Sequence, residues 1–209
     1  MQNNFRNLFN FKMNSIINNI IDFGRTIGLR IHTQSIIFSD SFLPHILIQR
    51  GEIYVNPELV SVSNLLHECG HLALIPSKYK NVFSGNLYSG FANYLSQPTE
   101  IDSIQYYLMQ AADDSGATAW AWAAGTFLNI PEVEIIENSS YDHSGEYIRN
   151  ELRSGWHSGI SGLNYANYTS KGNLKLLQTV TDKKVFPEMD FWTADEVLSH
   201  HGVDSMAFS

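Results

Sequence analysis

Ser61-Val62-Ser63-Asn64-Leu65-Leu66-His67-Glu68-Cys69-Gly70-His71-Leu72-Ala73-Leu74-Ile75-Pro76 is the stretch from which the rest of the chain is read. Val62, Leu65, Leu66, Leu72 and Ala73 fall at helical spacing, which predicts a helix with one apolar face. Ser61 or Ser63 can cap its start, and Pro76 enforces its stop. Inside it runs the H-E-x-x-H string His67-Glu68-Cys69-Gly70-His71. Residues four apart stack on one helix face, so the two imidazoles can grip one metal ion. Glu68 points about 100° round the axis from His67, close enough to reach a water held there. Cys69 lies about 200° round from either histidine and is expected to be a small buried residue facing away from the metal. Gly70 suits a helix that another helix or a substrate must approach closely.

Upstream, Met13 to Gly28 reads as a helix with Ile16, Ile17, Ile20, Ile21 and Ile27 on one face. Leu29 to Phe38 is β-branched and alternating, as a strand would be. His45 to Gln49 and Glu52 to Asn56 alternate on either side of Arg50-Gly51 and predict a β-hairpin. Downstream, Lys78 to Gln97 is rich in Ser, Gly, Asn and Tyr and reads as a long loop. Pro98-Thr99-Glu100 opens a long helical stretch to about Pro131, with a kink expected at Gly116. Residues 138–144 read as a loop, 145–153 as a short helix and 155–173 as a loop. Thr193-Ala194-Asp195-Glu196 is a capping box for a last helix ending at Gly202.

The 209 residues suffice for one good-sized core, and no linker divides them. Net charge is -8 and no Lys/Arg cluster occurs, which argues against nucleic acid and against an anionic membrane surface as partner. No window approaches the length of a membrane span. A single cysteine excludes an internal disulfide framework and a Cys-rich zinc knuckle. It fits a reducing compartment, and residues 1–11 contain no apolar core of a signal peptide, so a cytoplasmic location is expected.

A catalytic zinc needs three protein ligands and an open position. Beyond His67 and His71, the best source of the third is Asp113-Asp114-Ser115-Gly116-Ala117-Thr118-Ala119-Trp120-Ala121-Trp122-Ala123-Ala124. Asp114, Ala117 and Ala121 share a helix face whose small residues allow a close crossing, so Asp114 is the first candidate and Asp113 the second. Adjacent acids in an apolar helix are costly to bury unless paired or metal-bound, although an exposed helix end would also accommodate them.

The order hairpin, H-E-x-x-H helix, then acid-x-x-Ala-x-x-aromatic-Ala resembles the minimal gluzincin-type zinc metallopeptidases, and among them the ImmA/IrrE-type family. The matching string is Asp114 to Ala121, and Leu128-Asn129-Ile130-Pro131 resembles the end of the corresponding helix. Two positions depart from the family pattern: Asp114 stands for Glu, and Thr118 for Asn or Asp. The likeness covers residues 13–131, leaving 132–209 as an extension of unknown role within one domain. It implies an α+β fold in which a small antiparallel or mixed sheet packs on the motif helix and a second long helix carries the third ligand, with a mainly helical or loop C-terminal part. It also implies hydrolysis of a peptide or protein substrate, with Zn²⁺ on His67, His71 and Asp114 and Glu68 as general base. His143, Arg153, His157 and Tyr165 are chemically able to stabilise an oxyanion. The rivals are a closed, non-catalytic zinc site and a partner-binding protein on the same scaffold, for which the aromatic-rich segments 79–94 and 141–168 are candidate surfaces.

Overall fold

The computed structural model describes residues 15–35, 43–85, 87–96, 100–170 and 184–203. Helix α1 (residues 15–26) buries Ile16, Ile17, Ile20 and Ile21, with Ile27 packed against the same core. The hairpin forms where alternation predicts it, as β2 (Ile46–Gln49) and β3 (Glu52–Val55), antiparallel with Gln49 opposite Glu52. Arg50 and Gly51 both have positive φ, 51° and 69°, the backbone a two-residue hairpin turn requires. Strand β1 (Ile31–Thr33) pairs parallel with β3, so the sheet is mixed, in the order β1-β3-β2. It is shorter than the alternation at 29–38 suggests, and residues 36–38 lie outside the described part. Ile31, Ile46, Ile48, Ile53 and Val55 turn into the core.

Helix α2 (Val62–Leu74) is capped by Ser61, whose hydroxyl accepts from the Asn64 N–H at 3.2 Å, and it gives way to extended backbone at Ile75 before Pro76. Leu65, Leu66, Leu72 and Leu74 are fully buried, each contributing about 1.5–3 kcal/mol of apolar burial. Cys69 is buried as expected, and burial pushes its thiol pKa far up, leaving an inert packing residue.

Three expectations need correction. The segment at 78–97 is not an irregular loop: it holds α3 (Ser77–Lys80) and α4 (Tyr88–Leu95). Tyr94 is buried, Phe91 packs against Phe83, and Gly90 brings the Phe83 ring so close that a Cβ would lie 2.5 Å from it. Tertiary packing therefore overrides the weak helix preference of Ser, Gly and Asn.

The long helix expected from 98 to 131 is two, α5 (Ile104–Ala111) and α6 (Asp114–Phe127). The break falls at Ala112-Asp113 rather than at Gly116, because Asp113 turns its carboxylate onto the Gly116 N–H at 2.7 Å and caps α6. Gly116 instead makes room for the Ala111 carbonyl, which would sit 1.8 Å from a Cβ. Residues 98 and 99, expected to open that helix, lie outside the described part.

The third correction concerns 155–173. Residues 158–165 form α10 (Ser158–Tyr165), with Ile160 and Leu163 in the core and Gly159 against the Ser115 carbonyl. Between α6 and α10 lie α7 (Glu132–Ile135), the turn α8 (Ser140–His143) and α9 (Gly145–Ser154). The capping box forms as predicted: the Thr193 hydroxyl accepts from Glu196 N–H, and the Glu196 carboxylate accepts from Thr193 N–H at the start of α11 (Ala194–His200).

Helices α2 and α6 make the broadest helix pairing. Gly70 faces Ala117, and a Cβ there would lie 2.7 Å from the Ala117 carbonyl oxygen. Helix α10 packs on α5 and α6, and α7 on α2 and α6. Leu152, Ile160, Leu163, Val197 and Leu198 join the same hydrophobic cluster as the sheet and α2. Residues past 132 thus add to one continuous core. Among the described residues, no helix is long and apolar enough to cross a membrane.

Candidate metal centre

Helical spacing on α2 places His67 and His71 with their Nε2 atoms 3.0 Å apart. Helix α6 crosses so closely at Gly70 and Ala117 that the short side chain of Asp114 reaches both rings. Its Oδ1 is 3.1 Å from His71 Nε2 and 3.8 Å from His67 Nε2. Among the described residues these three side chains form a group able to hold a metal ion, with the donor atoms within 4.8 Å of one another. Asp113 does not join them, since its carboxylate is the cap of α6. The sequence leaves the two acids open; the break between α5 and α6 separates their roles.

Hydrogen bonds around the donor set fix the His71 tautomer. The Ala112 carbonyl, delivered by the same break, can only accept, so His71 Nδ1 carries the proton of their 3.3 Å contact. His71 Nε2 then presents a lone pair to Asp114 Oδ1, itself an acceptor. Two potential acceptors at 3.1 Å, with a second imidazole nitrogen at 3.0 Å, make a donor set compatible with a bound cation. Tetrahedral zinc with ligands near 2.0–2.1 Å spaces its donors roughly 3.3 Å apart, close to what is found. The Asp114 side chain is 79% exposed, so the third donor stands on the open side of the group.

Glu68 is buried and lines the cleft in front of the histidines. Burial raises its pKa to about 6, with His67 pulling it down and Asp114 pushing it up. A carboxyl so placed can exchange protons near neutral pH.

The cleft has a volume of about 1160 Å³. Leu43, Ile46, Leu47 and Ile48 from the hairpin side form one apolar wall; Phe91, Leu95 and Met109 from α4 and α5 form another. Phe91 also packs edge-on to His71, at 5.3 Å between ring centres. Among the described residues no lysine or arginine lines the cleft, whereas Glu68, Asp113 and Asp114 do.

Of the four oxyanion candidates, only His157 reaches the cleft. It is buried, and its Nδ1 accepts from the Gly159 N–H at 3.3 Å, so the neutral ring carries its proton on Nε2. Burial lowers its pKa. Arg153 pairs with Glu132, and Tyr165 stacks on Tyr107. His143 is exposed outside the cleft lining, and so are His200 and His201, the latter in contact with Asn167.

Tyr141 escaped the sequence reading as a site residue. It lines the cleft and hydrogen-bonds Thr118, one turn along α6 from Asp114. The only trace in the sequence is the Tyr141-Asp142-His143 string itself, which does not announce a left-handed turn.

No protein-family model matches the chain, and no curated protein or solved structure matches it either.

Proposed function

We propose that the chain is a zinc-dependent metallopeptidase of the gluzincin type, similar to the ImmA/IrrE-type enzymes, that hydrolyses peptide bonds. The observation that carries this reading is the convergence of His67 Nε2, His71 Nε2 and Asp114 Oδ1 at the floor of an open cleft, with the Glu68 carboxyl beside them. His67, His71 and Asp114 would hold the zinc, whose chemistry is to polarise a carbonyl and bring the pKa of a water toward about 7. Ala112 fixes the His71 tautomer through Nδ1, which keeps Nε2 free as donor atom. Glu68 would take the proton of the attacking water and return it to the leaving amine. The exposure of Asp114 favours a site with a free corner over a closed structural one. The hairpin's outer strand β2 borders the cleft at the edge of the sheet.

The test combines metal analysis with cleavage of an unfolded protein such as denatured casein. The wild type should retain one zinc per chain and cleave. Glu68→Gln should retain the zinc and lose about 10²–10⁴-fold in rate. Cleavage by Glu68→Gln at the wild-type rate would remove Glu68 from the chemistry. A wild-type chain that takes up no zinc would end the reading altogether.

A further inference from the structure

The polarity of one hydrogen-bond chain on the cleft wall says what that wall can recognise. The Thr118 hydroxyl lies 2.7 Å from the Asp114 carbonyl oxygen and is also bonded to the Tyr141 phenol. A carbonyl only accepts, so the single Thr118 proton goes to Asp114. The Tyr141 proton must then go to Thr118, because otherwise one of the two contacts would set lone pair against lone pair. With its proton committed, the phenol oxygen has only lone pairs left for the cleft it lines.

The backbone that holds this phenol is costly. Tyr141, Asp142 and His143 have φ of 56°, 54° and 67°, three successive non-glycine residues in the left-handed region. The strain is held from both sides. The buried Arg149 donates to the Ile136 carbonyl and to Asn138 Oδ1, both at 2.5 Å, and the Glu137 carbonyl occupies the place a Cβ on Gly145 would need. A turn so over-determined, with its tyrosine on the cleft, points to a recognition role for that tyrosine. His157, which also lines the cleft, carries its proton on Nε2 and so has the opposite polarity. One acceptor and one donor are the polar complement of a peptide main chain.

We propose that the Tyr141 phenol oxygen accepts a hydrogen bond from a main-chain N–H of the substrate, making this wall selective for a secondary amide. The proposal rests on the metallopeptidase reading, since the ligand it names is that enzyme's substrate. Tyr141 is a recognition residue here and takes no part in bond cleavage.

The experiment uses the full chain loaded with zinc and two hydroxamate probes, the malonyl hydroxamate of leucinamide and its twin methylated on the leucine α-nitrogen, which lacks the main-chain N–H of that one amide. Zinc content is measured first, and binding of each probe by calorimetry. Wild type should bind the N–H probe about 10-fold more tightly than its twin, the scale of one net hydrogen bond. Tyr141→Phe should bind the two alike, with its affinity for the N-methyl twin unchanged, which also reports an intact fold. A Tyr141→Phe chain that keeps the preference, or loses affinity for both probes equally, overturns the proposal, as does a wild type that binds the two alike. If instead no zinc is taken up, the metallopeptidase reading falls and carries the proposal with it, an outcome distinct from zinc uptake without amide selectivity.

Discussion

Two parts of the cleft lining are built on different principles. On the metal side, α2 and α6 are regular helices, and three donor atoms meet because helical spacing aligns the histidines and Gly70 lets Ala117 approach. Next to α6, Tyr141 and His157 sit on a left-handed turn and at the start of a short helix, held by Arg149, Gly145 and Gly159. The first part is set by local periodicity and one close crossing. The second is set by tertiary contacts that force an unfavourable backbone. Placing donor atoms needs rigidity, which helices supply without strain; bringing a single phenol onto Thr118 at the cleft needs a backbone that no regular element provides.

The largest expected effect separates the two adjacent acids on the metal side. Asp114→Ala should lower zinc affinity by at least about 100-fold, more than the loss typical of an outer-shell partner. Asp113→Ala should keep the metal and cost about 1 kcal/mol of stability through the lost cap. Zinc titration and urea unfolding measure the two, and equal zinc loss in both variants would break the division of roles.

The next effect strikes the crossing. Gly70→Ala improves helix propensity by about 1 kcal/mol, yet it drives a methyl to 2.7 Å from backbone that cannot swing aside. Net destabilisation of about 1–3 kcal/mol is expected, together with weaker zinc binding as α6 is pushed away. A stabilised variant would show that the helices are not held at this distance.

Behind the Tyr141 turn, Arg149→Met leaves the Ile136 carbonyl without its charged donor and should cost about 1.5–3 kcal/mol. Zinc affinity should stay at the wild-type level, because the hydrogen-bond partners of Arg149, Ile136 and Asn138, lie on neither α2 nor α6. Parallel loss of zinc would show that the two parts are mechanically coupled.

The smallest effect is one of pH. Burial holds the folded-state pKa of His157 below 6.5, so between that folded value and 6.5 the unfolded chain binds the extra proton. Its contribution is therefore constant above 6.5 and turns against folding as pH falls, with a slope of at most about 1.4 kcal/mol per pH unit. His157→Gln should flatten the fall in unfolding free energy below pH 6.5 relative to wild type. An unchanged slope would show that the ring titrates freely.

Much of the metal side was legible in the sequence. The cap at Ser61, the stop at Pro76, the alignment of His67 with His71, the inward Cys69 and the close-approach role of Gly70 all depend on residues near one another in the chain. Asp114 was legible as one of two acids but not as the one that reaches, because Asp113-Asp114-Ser115-Gly116 reads equally as helix interior and as the cap of a new helix. Helices α4 and α10 were hidden because Gly90 and Gly159, breakers by propensity, serve there as contact points for Phe83 and Ser115.

By itself, then, the sequence determined the hairpin, the motif helix and the pairing of its histidines, since turn geometry and helical period act over four residues or fewer. Only the tertiary structure decided which acid meets them and which tyrosine lines the cleft. Those outcomes depend on contacts between residues 20 to 50 or so positions apart, such as the carbonyl of Ala112 on His71 and Thr118 on Tyr141, and no local pattern encodes them.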